Sequence, residues 1–272
     1  MNDAPSGPPT GRSSSVTRLR AVGCVFAEEE AALLEEAAPS EEELEPLLRR
    51  REAGEPLEQI LGWVEFRGLR IGIAPGVFVP RQRTAFVVDA ALTVLEDAVG
   101  GRITVLDLCC GSGAIGRALL DERSGLRLLA ADVSPEAVAC ARANLAGLAT
   151  VVEGDLFDAL PARERGLLDL VVVNAPYVPT EAIALMPPEA RLHEPAVSLD
   201  GGSDGLVLHR RIAREAPAWL TPGGAVVIEV GREQAPVSAA AFADAGFTAE
   251  VRRDDERGAT VVMARLPRTT RL

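Results

Sequence analysis

The sequence predicts an α/β fold: a seven-stranded, mostly parallel sheet wrapped by helices, ending in an antiparallel hairpin and preceded by a small helical domain. Three observations carry this. From Ile103 to Ala245, short apolar runs alternate with helical stretches. The last two strand-like runs, Thr248–Arg252 and Thr260–Leu266, lie about seven residues apart, too few for a parallel crossover of about a dozen. The region before Gly62 has a helical period, and the period changes there.

The elements follow in order. Residues 1–15, rich in Pro, Ser and Gly, are expected to be a disordered tail. Residues 16–61 read as a helical domain of two or three helices. Glu28–Ala38 is rich in Ala and Glu, and Pro39-Ser40 supplies a break and a cap. The next segment opens on Glu41-Glu42-Glu43 and closes on Arg49-Arg50-Arg51, matching the helix dipole at both ends. Residues 62–80 form a linking hairpin, with Trp63–Phe66 and Leu69–Ile73 turning at Arg67-Gly68. Residues 81–272 make the main domain. A helix runs from Thr84 to about Val99 and stops at Gly100-Gly101. The strand Ile103–Leu108 enters a glycine-rich turn and a helix. Strands Leu126–Ala131, Thr150–Glu153, Leu167–Val173 and Ala225–Val230 follow, with helices over Pro135–Leu145 and up to Ala245.

At 272 residues, 47% hydrophobic and 25% charged, the chain is long enough for one large domain and an appendage. A net charge of -12 repels nucleic acid phosphates, so no direct nucleic-acid partner is expected. No apolar run reaches the ~20 residues of a membrane span, and the N-terminus lacks a signal-like apolar core. A cytoplasmic monomer is expected. Cys24, Cys109, Cys110 and Cys140 match neither a zinc site nor a disulfide framework, so free thiols and no metal are expected. His193 and His209 lack ligand partners at helical spacing and are expected on the surface or in loops. Glu229, in an apolar strand, is expected at the strand's carboxyl end, satisfied by backbone.

The turn after the first parallel strand reads Asp107-Leu108-Cys109-Cys110-Gly111-Ser112-Gly113-Ala114-Ile115-Gly116. Glycines let the backbone approach a ligand where a Cβ would collide, and a helix N-terminus follows. Asp132 ends the next strand, where a carboxylate can accept hydrogen bonds from a ribose diol. This pattern fits a nicotinamide dinucleotide and S-adenosylmethionine alike. Asp107 favours the second: a carboxylate there would repel a pyrophosphate but attract an ammonium. Asp155 is either a further polar group beside the adenine or a cap for Leu156–Leu160.

The strand Leu168–Val173 runs into Asn174-Ala175-Pro176-Tyr177. Ligands bind at the carboxyl ends of strands in such sheets. An Asn oxygen and a turn carbonyl can each accept a hydrogen bond from an NH2 group, and the Tyr177 ring can lie against a planar substituent. An ordinary strand-end turn is the plain alternative.

The sequence resembles the HemK/PrmC family of protein-(glutamine-N5) methyltransferases from about Arg18 to Leu266. The carriers are Gly54-Glu55-Pro56, Leu61-Gly62, Glu65–Leu69, Val79-Pro80-Arg81 with Thr84, the Asp107–Ile115 turn and Asp132. They continue with Gly154–Phe157, Asn174–Tyr177, Glu194-Pro195, Asp200-Gly201-Gly202 and Asp204-Gly205-Leu206. The resemblance implies a class I S-adenosylmethionine-dependent methyltransferase with an N-terminal substrate-binding domain. Its substrate would be a glutamine side chain in the Gly-Gly-Gln loop of a peptide-chain release factor. It places the cofactor at Asp107, Cys109, Gly111, Gly113, Asp132, Val133, Asp155, Leu156 and Asn174. The catalytic residues would be Asn174, Pro176 and Tyr177, and the substrate would meet Asn174–Tyr177 and Arg81. Two departures stand out: Ala175 replaces the first Pro of the family's Asn-Pro-Pro-Tyr, and Cys109-Cys110 replaces Gly-Thr. A small-molecule, other-protein or adenine N-methyltransferase, a nicotinamide oxidoreductase and a non-catalytic adaptor are the rival readings.

Overall fold

The computed structural model describes residues 12–96 and 102–268. They fall into two compact units, Met1–Gly62 with Pro187–His193, and Trp63–Met186 with Glu194–Leu272.

The first unit carries α1 (Arg12–Ala21), α2 (Ala27–Ala37), α3 (Glu41–Glu52) and α4 (Leu57–Leu61). Its core is Leu19, Ala27, Ala31, Leu34, Leu48 and Ile60. Ser40 caps α3 by accepting the Glu43 amide at 3.3 Å. The expected tail is too long. Residues 12–15 already belong to α1, and Ser15, one turn before the buried Leu19, is itself buried. Residues 1–11 lie outside the described residues. Four helices replace the expected two or three because Leu57–Leu61 adds a short one, anchored by Ile60.

The second unit opens with β1 (Trp63–Phe66) and β2 (Leu69–Gly72), paired antiparallel. Arg67 and Gly68 both have positive φ, 53° and 74°, the signature of a two-residue hairpin turn. Phe66 and Ile71 bury this hairpin in the unit's core. Next come α5 (Ala85–Glu96), β3 (Ile103–Leu108), α6 (Ala114–Glu122), β4 (Leu126–Asp132), α7 (Pro135–Asn144), β5 (Ala149–Glu153) and β6 (Leu168–Val173). After β6, α8 (Pro188–His193) returns to the first unit. The chain then forms α9 (Val207–Glu215), β7 (Leu220–Glu229), α10 (Ala235–Asp244), β8 (Thr248–Asp254) and β9 (Ala259–Arg265).

The seven strands are ordered β5-β4-β3-β6-β7-β9-β8, parallel from β5 to β7 and antiparallel at β7/β9 and β9/β8. Alternate residues of the central strands feed two cores. Val105, Val172 and Val227 join one with α5, and Leu106, Val171 and Val226 join the other with α9 and α10. The seven strands and terminal hairpin therefore stand as expected. Two details differ. β7 starts at Leu220, because Pro222-Gly223-Gly224, which looks like a turn, is absorbed as an irregularity between Leu168 and Leu170. α9 has no counterpart among the expected elements; its HRRIARE stretch reads as polar, yet Ile212 and Ala213 face the core.

The strand order places the site. β3 is followed by β4 on one side and β6 on the other, so the chain reverses direction of growth there. Leu108 lies beside Val173 in register. The glycine turn and Asn174 must therefore leave the sheet side by side.

Three side chains tie this end together. Asp107, fully buried, accepts the Gly116 amide at 2.8 Å at the start of α6. Asp132 accepts the Gly111 amide at 2.8 Å and the Ser134 amide at 3.0 Å. Asn144 accepts the Gly72 amide at 2.9 Å and donates to the Gly72 and Ser112 carbonyls at 2.9 and 2.8 Å. It thus pins the hairpin to the turn.

Two outcomes follow. Asn144→Ala removes three hydrogen bonds to the backbone, leaving the Gly72 carbonyl only the Cys140 thiol at 3.2 Å, and should destabilise the second unit by about 2–3 kcal/mol. Both tryptophans, Trp63 and Trp219, lie in that unit, so urea unfolding followed by tryptophan fluorescence reads it. A loss below about 0.5 kcal/mol would contradict the pinning role. Burial, with a smaller push from Asp132, raises the Asp107 carboxyl to about 8. The folded state then holds this proton more tightly than the unfolded chain, whose carboxyl titrates near about 4. Its stabilising contribution is complete below that value and is lost as pH rises through about 8. Between about pH 5 and about pH 8, wild type should lose about 1 kcal/mol per pH unit more than Asp107→Asn. Parallel stability curves would show that the proton is not held.

Candidate active site

The turn after β3 alternates in hand. Cys109, Gly111 and Gly113 have φ of 58°, 53° and 79°, whereas Cys110 and Ser112 are not in the left-handed region. Such alternation turns successive amides toward one concavity. For a glycine these angles are free; for Cys109 the Cβ adds strain of about 1–2 kcal/mol. The Cys110 amide, bonded to the Ala131 carbonyl at 3.0 Å, helps hold the bend.

The glycines serve different ends. A Cβ on Gly111 would meet no atom within 4 Å, so the space beside it is open. A Cβ on Gly113 would come within 2.9 Å of Leu145, and one on Gly116 within 2.7 Å of Leu128. Gly111 faces the cavity, while Gly113 and Gly116 let α6 pack closely.

A cavity of about 680 Å³ opens above the strand ends. Its wall includes Cys109, Gly111, Ser112, Asp132, Val133, Asp155, Leu156, Asn174, Ala175, Pro176, Tyr177 and Arg81. It therefore brings together all the expected site residues but two. Asp107 and Gly113 are not in the wall. The Asp107 carboxyl group is turned under the turn to Gly116, and its Oδ1 has no hydrogen-bond partner among the described residues. Gly113 is the residue preceding α6, packed against Leu145.

The wall suits S-adenosylmethionine. Ser112 belongs to this wall, and its Oγ is buried with no hydrogen-bond partner among the described residues. Asp132 already accepts one amide on each oxygen, and each oxygen keeps a further lone pair. Val133, 52% exposed, presents apolar surface beside it. Asp155 stands at the cap position of the Leu156–Ala159 turn, yet its side chain makes no capping bond and pairs with Arg211 at 3.0 and 3.1 Å. Of its two readings the cap therefore fails.

At the other end, Asn174 Nδ2 donates to Thr84 Oγ1 at 3.3 Å. Thr84 is buried, so the partner of the amide is itself fixed in the core. This contact leaves Asn174 Oδ1 as the available acceptor. Ala175 is 1% exposed, so the residue that replaces the family's Pro is packed. The Tyr177 hydroxyl accepts from Arg83 at 2.9 Å and donates to Glu229 at 3.2 Å. Burial, reinforced by Glu229, raises this phenol to about 12. Arg81 pairs with the buried Glu194 and lies 5.3 Å from the Phe78 ring centroid.

Two expectations fail here for one reason, that burial depends on distant partners. Glu229 is not satisfied by backbone: Arg83 and Tyr177 take its Oε1. His209 is fully buried in α9, 2.8 Å from Ser238, and burial lowers its imidazole to about 4. Arg83 and Gln234 hold this end of the site without a sequence motif that marks them. Gln234 donates to the Tyr177 and Asp204 carbonyls at 2.8 and 2.9 Å, a role no local pattern signals.

Comparison with known proteins agrees with this geometry. Residues 69–189 match the model of the methyltransferase small domain. The release factor glutamine methyltransferase of Geobacter sulfurreducens is 39% identical over 204 residues, covering 74% of this chain and 69% of that protein. That of Caulobacter vibrioides is 39% identical over 214 residues, covering 77% and 72%. A methyltransferase structure from Pyrococcus furiosus aligns with a TM-score of 0.53 over 73% of this chain and 89% of its own, at 16% identity, a likeness of fold. With its sheet, its turn and this degree of identity, the chain belongs to the release factor glutamine methyltransferase family.

Proposed function

We propose that this protein methylates the side-chain amide nitrogen of a glutamine in a peptide-chain release factor, using S-adenosylmethionine. The observation that carries the reading is the orientation of Asn174. Its NH2 donates one hydrogen bond to Thr84 Oγ1, an orientation that leaves its oxygen to accept a hydrogen bond from an incoming NH2 group. It stands one residue beyond β6, next to the glycine turn.

When bound, S-adenosylmethionine supplies a methyl group made electrophilic by its positive sulfur. Asp132 would hold the ribose, Val133 and Leu156 would cover the adenine, and Ser112 and Gly111 would line the remainder. Asn174 Oδ1 and the Ala175 carbonyl would hold the two hydrogens of the acceptor NH2, which favours electron density on its nitrogen. Tyr177 would lie against the planar amide and Pro176 would stiffen the turn. Positioning of this kind accounts for much of the rate in a transfer that needs no strong base. Arg81, already held by Glu194, and the N-terminal helical unit would meet the protein substrate. The reaction would take place in the cytoplasm.

The test is transfer of a labelled methyl group from S-adenosylmethionine to a purified release factor, with the modified residue mapped by mass spectrometry. Wild type should place one methyl on a glutamine side chain. Asn174→Ala should slow transfer by about 100-fold or more, the effect of losing one well-placed polar contact at a reacting centre. Affinity for S-adenosylhomocysteine should change far less. Near-normal turnover in that variant would reduce Asn174–Tyr177 to a turn.

A further inference from the structure

Glu229 ends β7 as a carboxylate inside an apolar sheet, 2% exposed. A buried carboxylate persists only when a cation and hydrogen-bond donors meet it. Arg83 supplies the cation. Its Nε donates to Glu229 Oε1 at 3.2 Å, and an Nη of the same guanidinium donates to the Tyr177 hydroxyl at 2.9 Å. That hydroxyl donates to the same Glu229 oxygen at 3.2 Å, closing a ring of three groups. The backbone of Tyr177 is held separately, by Gln234 through its carbonyl. Gly205 lies so close that a Cβ there would come within 2.2 Å of that carbonyl oxygen.

Tyr177 is thus held at both ends while its ring lines the cavity beside Asn174 and Pro176. A ring that must lie flat against an amide gains from two contacts at its hydroxyl, because one bond leaves it free to swing. An ion pair serving stability alone would have no need of the phenol, and buried pairs are weak stabilisers in any case. We propose that Arg83 and Glu229 form a positioning pair that fixes the Tyr177 ring at the methyl-acceptor end of the cavity. This rests on the reading of Asn174–Tyr177 as the acceptor clamp.

The chain contains one tyrosine, so 3-fluorotyrosine labelling yields one fluorine resonance that reports on this ring alone. Arg83→Met should move that resonance toward the value of an unstructured peptide. It should lower kcat for methylation of a release factor by about tenfold or more, while KM and S-adenosylhomocysteine affinity stay within about threefold. In a Tyr177→Phe background the same substitution should change kcat by less than about twofold, because the hydroxyl it acts through is gone. An unmoved resonance, an unchanged kcat, or an equal loss in the Tyr177→Phe background would overturn the pairing. Should Arg83→Met fail to fold with Glu229 left charged, Arg83→Met/Glu229→Gln is read against the same limits. Should wild type transfer no methyl to the release factor, the acceptor reading fails, and the fluorine resonance decides the positioning by itself.

Discussion

The site depends on one strained turn and the hydrogen bonds that keep it folded. Between β3 and α6 the backbone enters the left-handed region three times in five residues, once at a cysteine. Such a conformation persists only where its surroundings over-determine it. Asp107 holds the far side through Gly116, Asp132 holds the near side through Gly111, and Asn144 holds the Ser112 carbonyl. Each comes from a different element, so the turn is correct only when β3, β4 and α7 are all in place. The same set of bonds couples fold and site. Asn144 also binds Gly72, which makes the hairpin part of the support.

The sheet order supplies the second half. Because β3 and β6 are neighbours, the turn and Asn174 lie together although three strands, β4, β5 and β6, separate them in sequence. The polar groups at the two ends have different characters. At the cofactor end, backbone amides fill part of each Asp132 oxygen and leave a lone pair. At the acceptor end, side chains from α5's approach and from β7 converge: Thr84 on the Asn174 amide, Arg83 and Glu229 on the Tyr177 hydroxyl. The proposed chemistry needs little more than this division, one end gripping a nucleoside and the other aiming an amide.

Much of this was legible in the sequence, for identifiable reasons. The strands announce themselves because Ile103–Leu108 and Leu168–Val173 are buried on both faces and read as apolar runs broken only by Thr104, Asp107 and Asp169. The short interval before Thr260 forced the antiparallel end. Gly111, Asp132 and Asn174 sit at or just beyond strand ends, and all three line the cavity as the local pattern leads one to expect. What escaped was set by contacts distant in sequence. Glu229 and Arg83 are 146 positions apart and neither announces the other. His209 lies among charged residues, yet its helix turns it to Ser238. Asp107 is in a motif that suggests a ligand, while its depth of burial, invisible in one dimension, turns it to the Gly116 amide. Pro222-Gly223-Gly224 spells a turn, and only its neighbour β6 makes it a strand with an irregular step.

Asp132 stands at the centre of this arrangement, keeping the turn through Gly111 and, in the proposed function, presenting free lone pairs to a ribose. Replacing Asp132 removes both functions together, so mutation alone does not separate them. A crystal structure of the protein with S-adenosylhomocysteine does. The ribose hydroxyls should lie within hydrogen-bond distance of the Asp132 carboxylate, with the Gly111 and Ser134 amides still bonded to it. A ribose bound away from Asp132, or a turn that releases Gly111 to admit the ligand, would contradict this role of Asp132.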